Sequence, residues 1–167
     1  MPPTEATADL ITKLSQQCRS AILATATIDG QPTASYAPFW QDESGCFYIF
    51  VSGLSAHTGN LHANPQVSLM LIADEAASGQ IFARPRLTWQ CTAQLVPRDT
   101  VQWSAIATQF QDKFGEIITT LRQLPDFRIF ALRPSTGQLV SGFGAAQSLP
   151  APAPHSPPSP PSDRATE

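Results

Sequence analysis

Residues 21–40, AILATATIDGQPTASYAPFW, contain two stretches rich in β-branched and aromatic residues on either side of Asp29-Gly30. An Asp-Gly pair between two such stretches is typical of a tight hairpin turn, because glycine accepts the positive φ that the turn needs. The pattern recurs downstream, where the turn QDESG leads into CFYIFVS, and QVSLMLI precedes a loop. Connections this short favour an antiparallel sheet over alternating β-α-β units.

Two segments have helical rather than strand periodicity. Apolar residues recur at helical spacing from about residue 9 to residue 20, and again over residues 99–124. Asp99 is a candidate N-cap with Gln102 three residues later, and Gly115 is a candidate break in the second segment.

One long strand is expected over residues 80–96, with a bend or bulge at Pro85, because proline has no N–H to donate to a ladder. With the other stretches this gives six or seven strands and few helices. The sequence therefore predicts a mainly β (α+β) fold, an antiparallel β-barrel with flanking helices.

The chain of 167 residues has the length of one domain. Its composition changes at residue 149, after which seven prolines lie between Pro150 and Pro161 and few residues could be buried. We predict a barrel domain over residues 1–148 and a disordered, proline-rich tail over residues 149–167.

The charge pattern excludes several classes of partner. A net charge of −3 with scattered basic residues gives no electrostatic footprint for nucleic acid or an anionic membrane. No long apolar run or signal-peptide pattern is present, so we expect a soluble cytoplasmic protein.

Charged residues make up only 14%, which fits a surface partly buried against a second subunit. The three widely spaced cysteines indicate free buried thiols.

Two of the three histidines, His57 and His62, lie in SGLSAHTGNLHANP, residues 52–65. Residues five apart on a helix are separated by about 140° around the axis, so these two side chains do not form a metal-binding pair. No cysteine lies nearby, and a zinc site is not expected.

A phosphate site is the second chemistry that this segment could support. Ser55 is a candidate N-cap, and the free N–H groups at a helix start attract anions. The side chains that could complete such a cradle are Ser52, Thr58 and Arg19 or Arg86. The alternative, which the residues alone leave open, is that Ser55 only caps the helix and the arginines lie on the barrel surface.

Five segments together resemble the pyridoxamine 5′-phosphate oxidase-like split-barrel superfamily, and more closely its heme-utilisation group, HugZ/HutZ. The segments are RSAILATATIDGQPTASYAPF, SGLSAHTGNLHANPQVSLMLI, IFARPRLTW, FRIFALRP and LVSGFGAA. The likeness covers about residues 10–147. It implies a split β-barrel and a homodimer whose ligand sites lie in clefts at the subunit interface.

The resemblance also implies roles for individual residues. Flavin-binding members hold the FMN phosphate with an arginine early in the first barrel strand, a serine and a lysine at the start of the short helix, and a residue on a later strand. Arg19 and Ser55 match this pattern, and Arg86 is a candidate for the later position. His57 stands where the lysine is expected, and Ala24 replaces another basic residue. Because a neutral histidine is a weaker partner for a dianion than a lysine, the resemblance favours heme over FMN.

In the heme-utilisation group, a histidine of the C-terminal segment ligates the iron and an acidic residue of the partner chain hydrogen-bonds that histidine. Asp126 stands at the acidic position and is the candidate catalytic residue. His155 is the C-terminal histidine and the candidate iron ligand, with His57 or His62 as alternatives.

The function implied by the resemblance is heme binding in iron utilisation, with O₂-dependent heme degradation as the reaction. Two alternatives stay open. One is an FMN-binding oxidoreductase of the pyridoxamine 5′-phosphate oxidase type, and the other is a non-enzymatic heme- or flavin-binding module.

Overall fold

A computed structural model describes residues 4–152 and shows a closed antiparallel barrel of six strands. A seventh strand pairs with the sixth outside this ring. The strands are β1 (Ser20–Ala26), β2 (Pro32–Gln41), β3 (Phe47–Ser52), β4 (Gln66–Ile72), β5 (Arg86–Val96), β6 (Phe127–Gly142) and β7 (Ala145–Pro150). The helices are α1 (Glu5–Gln17), α2 (Ala56–Ala63), α3 (Val101–Phe114) and α4 (Ile117–Gln123). The predicted mainly β barrel with flanking helices is confirmed.

Closure of the barrel depends on one pairing between strands that are distant in sequence. The strands follow the order β3-β2-β1-β4-β5-β6, and β3 pairs with β6 to complete the ring. The last pair in this register joins Ser52 to Phe127. The end of β3 therefore lies directly beside the start of β6, although the two are far apart in the chain.

Alternating burial along the strands produces two apolar clusters. The interior of the barrel is filled by inward-facing side chains such as Leu23, Phe39 and Leu69, each at most 1% exposed. The second cluster lies outside the barrel wall, where α3 packs Trp103 and Phe110 against Phe50 of β3. The two clusters fix α3 against the wall that also carries the end of β3.

The outward face of β1, β2 and β4 carries apolar side chains that the described chain leaves uncovered. Ile22 of β1 pairs in register with Tyr36 of β2 on one side and Met70 of β4 on the other. Ile22 is 40% exposed and Tyr36 is 68% exposed. We call this surface the outward apolar face.

The predictions for Gly30 and Gly115 are confirmed. Gly30, in the β1–β2 hairpin, has φ 85°, and Gly115 ends α3 with φ 83°. At the β6–β7 hairpin the register shifts between Val140 and Gly142.

Two predicted boundaries were wrong. The N-cap of α3 is Thr100, whose Oγ1 accepts a hydrogen bond from the Trp103 N–H, while Asp99 adopts φ 65° in the preceding turn. The expected long strand begins only at Arg86, because a 3-10 turn occupies Ile81–Ala83. The register of the β5–β6 pair shifts between Gln90 and Cys91, where β6 has the additional residue Ser135, and no irregularity occurs at Pro85.

The barrel continues slightly past residue 148. Leu149 is 5% exposed and packs in the barrel core, and β7 ends at Pro150. The rest of the predicted tail, residues 153–167, lies outside the described residues. Within residues 4–152, no helix is both long enough and apolar enough to cross a membrane.

We expect Gly137→Ala to lower the free energy of unfolding by about 1–3 kcal/mol through overpacking. Gly137 of β6 faces Trp89 of β5, and an added Cβ would lie 2.5 Å from the indole ring. Gly59 of α2 is the matched control, since a Cβ there meets nothing within 4 Å. Gly59→Ala should leave stability unchanged or raise it by up to about 1 kcal/mol. Urea unfolding measures both, and equal effects would contradict the predicted packing.

Candidate functional site

A cleft of about 480 Å³ opens between β2, the end of β3 and the start of α2. Its walls are residues 35–38, 50–52 and 55–57. We call it the histidine cleft, because His57 is its one histidine. No lysine or arginine is among the residues that line it in the described part of the chain.

His57 is held by one ring nitrogen while the other has no partner. Nδ1 of His57 lies 3.0 Å from Ser35 Oγ, and His57 is only 8% exposed. Nε2 is buried and makes no hydrogen bond to any described residue. Burial lowers the pKa of His57 from its usual 6.5, so the imidazole is neutral at pH 7. A buried polar atom without a partner costs about 1–3 kcal/mol, and such an atom in a cleft points to a bound group.

Asp126 lies at the edge of the cleft because the β3–β6 pairing brings it there. Ser52 Oγ donates a hydrogen bond to Asp126 Oδ2 at 2.8 Å, and the Gly53 N–H donates to the Asp126 carbonyl at 2.8 Å. A Cβ at Gly53 would lie 2.8 Å from that carbonyl oxygen, so only glycine allows this approach. The carboxylate is therefore fixed in orientation, with Oδ1 free of hydrogen bonds from the described residues.

The phosphate cradle considered from the sequence does not come together in the described chain. Ser55 occupies the N-cap position of α2, but its hydroxyl makes no capping hydrogen bond. Thr58 Oγ1 donates to the Ser52 carbonyl at 2.6 Å, and the Ser52 hydroxyl donates to the Asp126 carboxylate. A phosphate here would find the Ser55 hydroxyl free, but the Ser52 and Thr58 hydroxyls are already donating and the Asp126 carboxylate lies beside Ser52.

The remaining predicted site residues lie elsewhere. Arg19 lines a different cavity, with its guanidinium carbon 5.5 Å from the centre of the Phe114 ring. Arg86 begins β5 and donates from Nη1 to the Arg84 carbonyl at 3.2 Å. His155 lies outside the described residues.

His62, at the C-terminal end of α2, contacts the barrel rather than the cleft. Its ring centre lies 5.2 Å from that of Phe130 in an edge-to-face arrangement. This contact packs the His62 ring against the barrel. Among residues 4–152, no three histidine, cysteine or acidic side chains form a group that could hold a metal ion.

The cysteines are free thiols. Cys46 and Cys91 are buried, and burial raises the pKa of Cys91 to about 12. Cys18 is partly exposed, and burial also raises its pKa. All three therefore stay protonated at neutral pH.

A second cavity, of about 770 Å³, lies between α1, the start of β1, the end of β4 and residues 73–85. Three of the chain's basic residues line it: Lys13, Arg19 and Arg84. The one carboxylate in its lining, within the described chain, is that of Asp74. We call it the basic cavity.

The sequence analysis identified His57 but not its partner Ser35. The signal for Ser35 was present in the hairpin, because residues alternate between the two faces of β2. The sequence does not show that α2 lies over the face of β2 that carries Ser35, because closure of the barrel sets the position of α2. Lys13 and Arg84 were missed because they come together from α1 and a loop that has no strand or helix periodicity.

The family model described as pyridoxamine 5′-phosphate oxidase matches residues 5–141. The chain is also 43% identical over 139 residues to the heme oxygenase HutZ of Vibrio cholerae serotype O1. This alignment covers 83% of the chain and 78% of that relative.

Two solved structures are similar to the barrel. HutZ from Vibrio cholerae, described as a heme storage protein, superposes with a TM-score of 0.74 at 42% identity, covering 79% of this chain and 92% of that one. ChuZ from Campylobacter jejuni gives a TM-score of 0.80 at 28% identity, covering 90% of this chain and 61% of that one.

We expect the stability of the protein to fall on acidification in a way that depends on His57. The folded state lowers the pKa of His57, so the unfolded chain takes up the proton first. Stability is therefore lost as pH falls from about 6.5 towards the lower, folded pKa, and the loss is absent above that window.

His57→Gln removes the titrating group and should flatten this part of the pH dependence. Urea unfolding of both proteins between pH 7.5 and pH 5 measures the difference, with the acidic residues common to both as an internal control. Parallel curves for the two proteins would contradict a desolvated imidazole.

Proposed function

The chain belongs to the pyridoxamine 5′-phosphate oxidase family, and we propose that within it the protein binds heme in the histidine cleft. The observation that carries this proposal is the free Nε2 of the buried, neutral His57. Neutral imidazole nitrogen is a common ligand of heme iron. The 43% identity to a heme oxygenase supports the same ligand class.

The residues of the cleft fit a heme. A ligating histidine usually has its second ring nitrogen fixed by a hydrogen bond, and Ser35 does this for Nδ1 of His57. Tyr36 and Pro38 provide apolar walls for a flat ring. Because Nε2 is shielded in the described chain, iron ligation by His57 requires its ring to turn towards the opening. The Ser35 side chain has to follow the ring for the contact with Nδ1 to be kept.

His155 is the second candidate for the iron ligand, and it rests on sequence alone. It follows the described chain by three residues, and Pro152 lies beside Gly45, where an added Cβ would be 2.9 Å from the proline. That turn precedes β3, whereas the cleft lies at the opposite end of β3, at Ser52. His57 is therefore the ligand that the cleft itself offers.

Heme degradation in iron utilisation is the activity that we propose for the bound state. When bound, heme supplies the redox chemistry with O₂ and a reductant. The chain would hold the iron through a histidine, exclude water with the apolar walls and orient Asp126 through Ser52. Asp126 Oδ1 can then accept a hydrogen bond at the cleft edge, from the ligating imidazole or from the bound group. A heme carrier without turnover is the non-enzymatic alternative.

FMN is the alternative cofactor, because the resemblance extends to flavin-binding members of the family whose model matches residues 5–141. The cleft is unfavourable for a phosphate dianion, because its described lining contains no lysine or arginine and Asp126 lies at its edge. FMN binding would therefore depend on cations from outside this cleft.

We also propose that the protein is a homodimer formed through the outward apolar face. An apolar sheet face with Ile22 and Tyr36 exposed is typical of a surface covered by another subunit. The low content of charged residues, 14%, agrees with this proposal.

A hemin titration followed by absorbance tests the ligand and its position. We expect wild-type protein to shift the Soret band at one hemin per chain, and His57→Ala to weaken binding by about tenfold or more through loss of the iron ligand. Soret decay after addition of ascorbate in air distinguishes degradation from carriage.

His62→Ala is the matched control, since it removes a histidine of the same helix that lies outside the cleft. His155→Ala tests the tail in the same assay. Stoichiometric FMN binding without a hemin-induced Soret shift would contradict the proposal.

Ala24→Glu tests the dimer. Ala24 lies on the outward face of β1 between Ala34 and Ser68, and a carboxylate buried there twice would be costly to desolvate. We expect sedimentation velocity to show a dimer for wild type and a monomer for this variant. Gln109→Glu adds the same charge on an exposed position of α3 and should remain dimeric. A wild-type monomer at micromolar concentration would contradict the proposal.

A further inference from the structure

Asp126 lies in a tight turn that links α4 to β6. The Phe127 N–H donates to the Leu124 carbonyl at 3.3 Å, so residues 124–127 form a β-turn with Pro125 and Asp126 at its centre. Proline favours the first central position of such a turn, because its ring fixes φ near −65°. The shape of this short connection therefore decides where the Asp126 carboxylate lies.

Arg98, from the loop between β5 and α3, binds both ends of this turn. Its Nη1 donates to the Leu124 carbonyl at 3.1 Å and to the Phe127 carbonyl at 3.2 Å. Its Nη2 donates to the Arg122 carbonyl, in the last turn of α4. An arginine that only capped α4 would need no contact with Phe127, which is the first residue of β6. The contacts lie on both sides of Asp126 and restrain the turn as a whole.

The orientation of the Arg98 guanidinium is itself fixed. Its central carbon lies 4.9 Å from the centre of the Trp103 ring of α3, in a cation–π contact. Trp103 is buried and packs edge-to-face against Phe50, which lines the histidine cleft. One arginine thereby connects α3, outside the barrel wall, to the turn that carries Asp126.

The backbone beside Arg98 is strained. Asp99 has φ 65°, and it is the one non-glycine residue with positive φ in the described part of the chain. This left-handed conformation is unfavourable for a residue with a Cβ, and it persists where surrounding contacts require it. Because the strained residue directly follows Arg98, the loop keeps an unfavourable conformation at the point where it places this arginine.

The end of β3 holds the same turn through other atoms. The Gly53 N–H donates to the Asp126 carbonyl and Ser52 Oγ to Oδ2, each at 2.8 Å. These contacts hold Asp126 itself, whereas those of Arg98 hold the residues before and after it. Arg128 also donates to carbonyls of the turn, but it belongs to β6 and ties the turn to no other element.

We propose that Arg98 is a positioning residue for Asp126 and sets the carboxylate at the edge of the histidine cleft before a ligand binds. The inference deepens the proposed function and rests on it for the role of Asp126. Arg98 does not line the cleft, so it acts through the turn rather than on a ligand. Its removal should therefore disturb the reaction more than the binding of the ring.

Hydrogen exchange of the Gly53 amide, measured by NMR on the heme-free full chain, reports whether the Asp126 carbonyl is in place. We expect exchange to be about tenfold faster in Arg98→Gln, because the turn loosens and the acceptor moves away. The amides of β1 that pair with β4 should keep their wild-type rates and show that the barrel is intact.

Two further variants define this result. Arg98→Lys keeps the charge but lacks the planar fork of donors, and it should accelerate Gly53 exchange about threefold or more. Arg133→Gln removes an exposed arginine of β6 away from the turn and should leave the Gly53 rate unchanged.

Kinetics separate positioning from a purely structural role. In a heme-degradation assay with ascorbate and O₂, Arg98→Gln should lower kcat about tenfold and change the hemin Kd less than about threefold. Asp126→Asn should also lower kcat, and adding Arg98→Gln to it should cause no further loss, because both changes act through one carboxylate. An arginine that only stabilised α4 would lower the rate independently of Asp126.

A wild-type Gly53 exchange rate in folded Arg98→Gln and Arg98→Lys would overturn this inference. Effects of Arg98→Gln and Asp126→Asn on kcat that multiply would overturn it as well. Absence of a hemin-induced Soret shift in wild type would instead overturn the proposed function. Gly53 exchange in the heme-free protein would then still decide whether Arg98 positions the turn.

Discussion

The pairing of β3 with β6 closes the barrel and, in the same register, builds the edge of the histidine cleft. Ser52 pairs with Phe127, the first residue of β6. Asp126, which directly precedes β6, is therefore brought within hydrogen-bonding distance of the Ser52 hydroxyl. The turn that leaves β3 then starts α2, which carries His57 into the cleft. A carboxylate and an imidazole from distant parts of the sequence are thereby placed at one opening. Stability and site thus depend on one strand pair.

Burial gives this cleft its chemical character. A lysine in place of His57 would bring a permanent charge to a site that excludes water, whereas the imidazole becomes neutral as it is buried. Within the described chain, the lining of the cleft contains no lysine or arginine, whereas three basic residues line the cavity on the other side of β1.

The barrel was predictable because its hairpins are encoded locally, by Asp29-Gly30 and by alternation along β1 and β2. Local pattern also made His57 a candidate site residue, and family resemblance made Asp126 one. The contact of His57 with Ser35 and that of Ser52 with Asp126 were not predictable, because each joins elements that only closure brings together. Local signals misled at Asp99, where the neighbouring Thr100 provides the cap, and at Pro85, where a 3-10 turn delays the strand. Arg19 and Arg86 resembled cofactor ligands, yet neither lines the histidine cleft.

The central claim is that heme iron lies in the histidine cleft. An anomalous difference map, recorded at the iron absorption edge from crystals grown with hemin, tests it most directly. The account predicts one iron peak per chain inside the cleft, at bonding distance from a histidine nitrogen and beside Asp126. An iron peak away from residues 35–38, 50–52 and 55–57, or hemin-treated crystals that show flavin there instead, would contradict it.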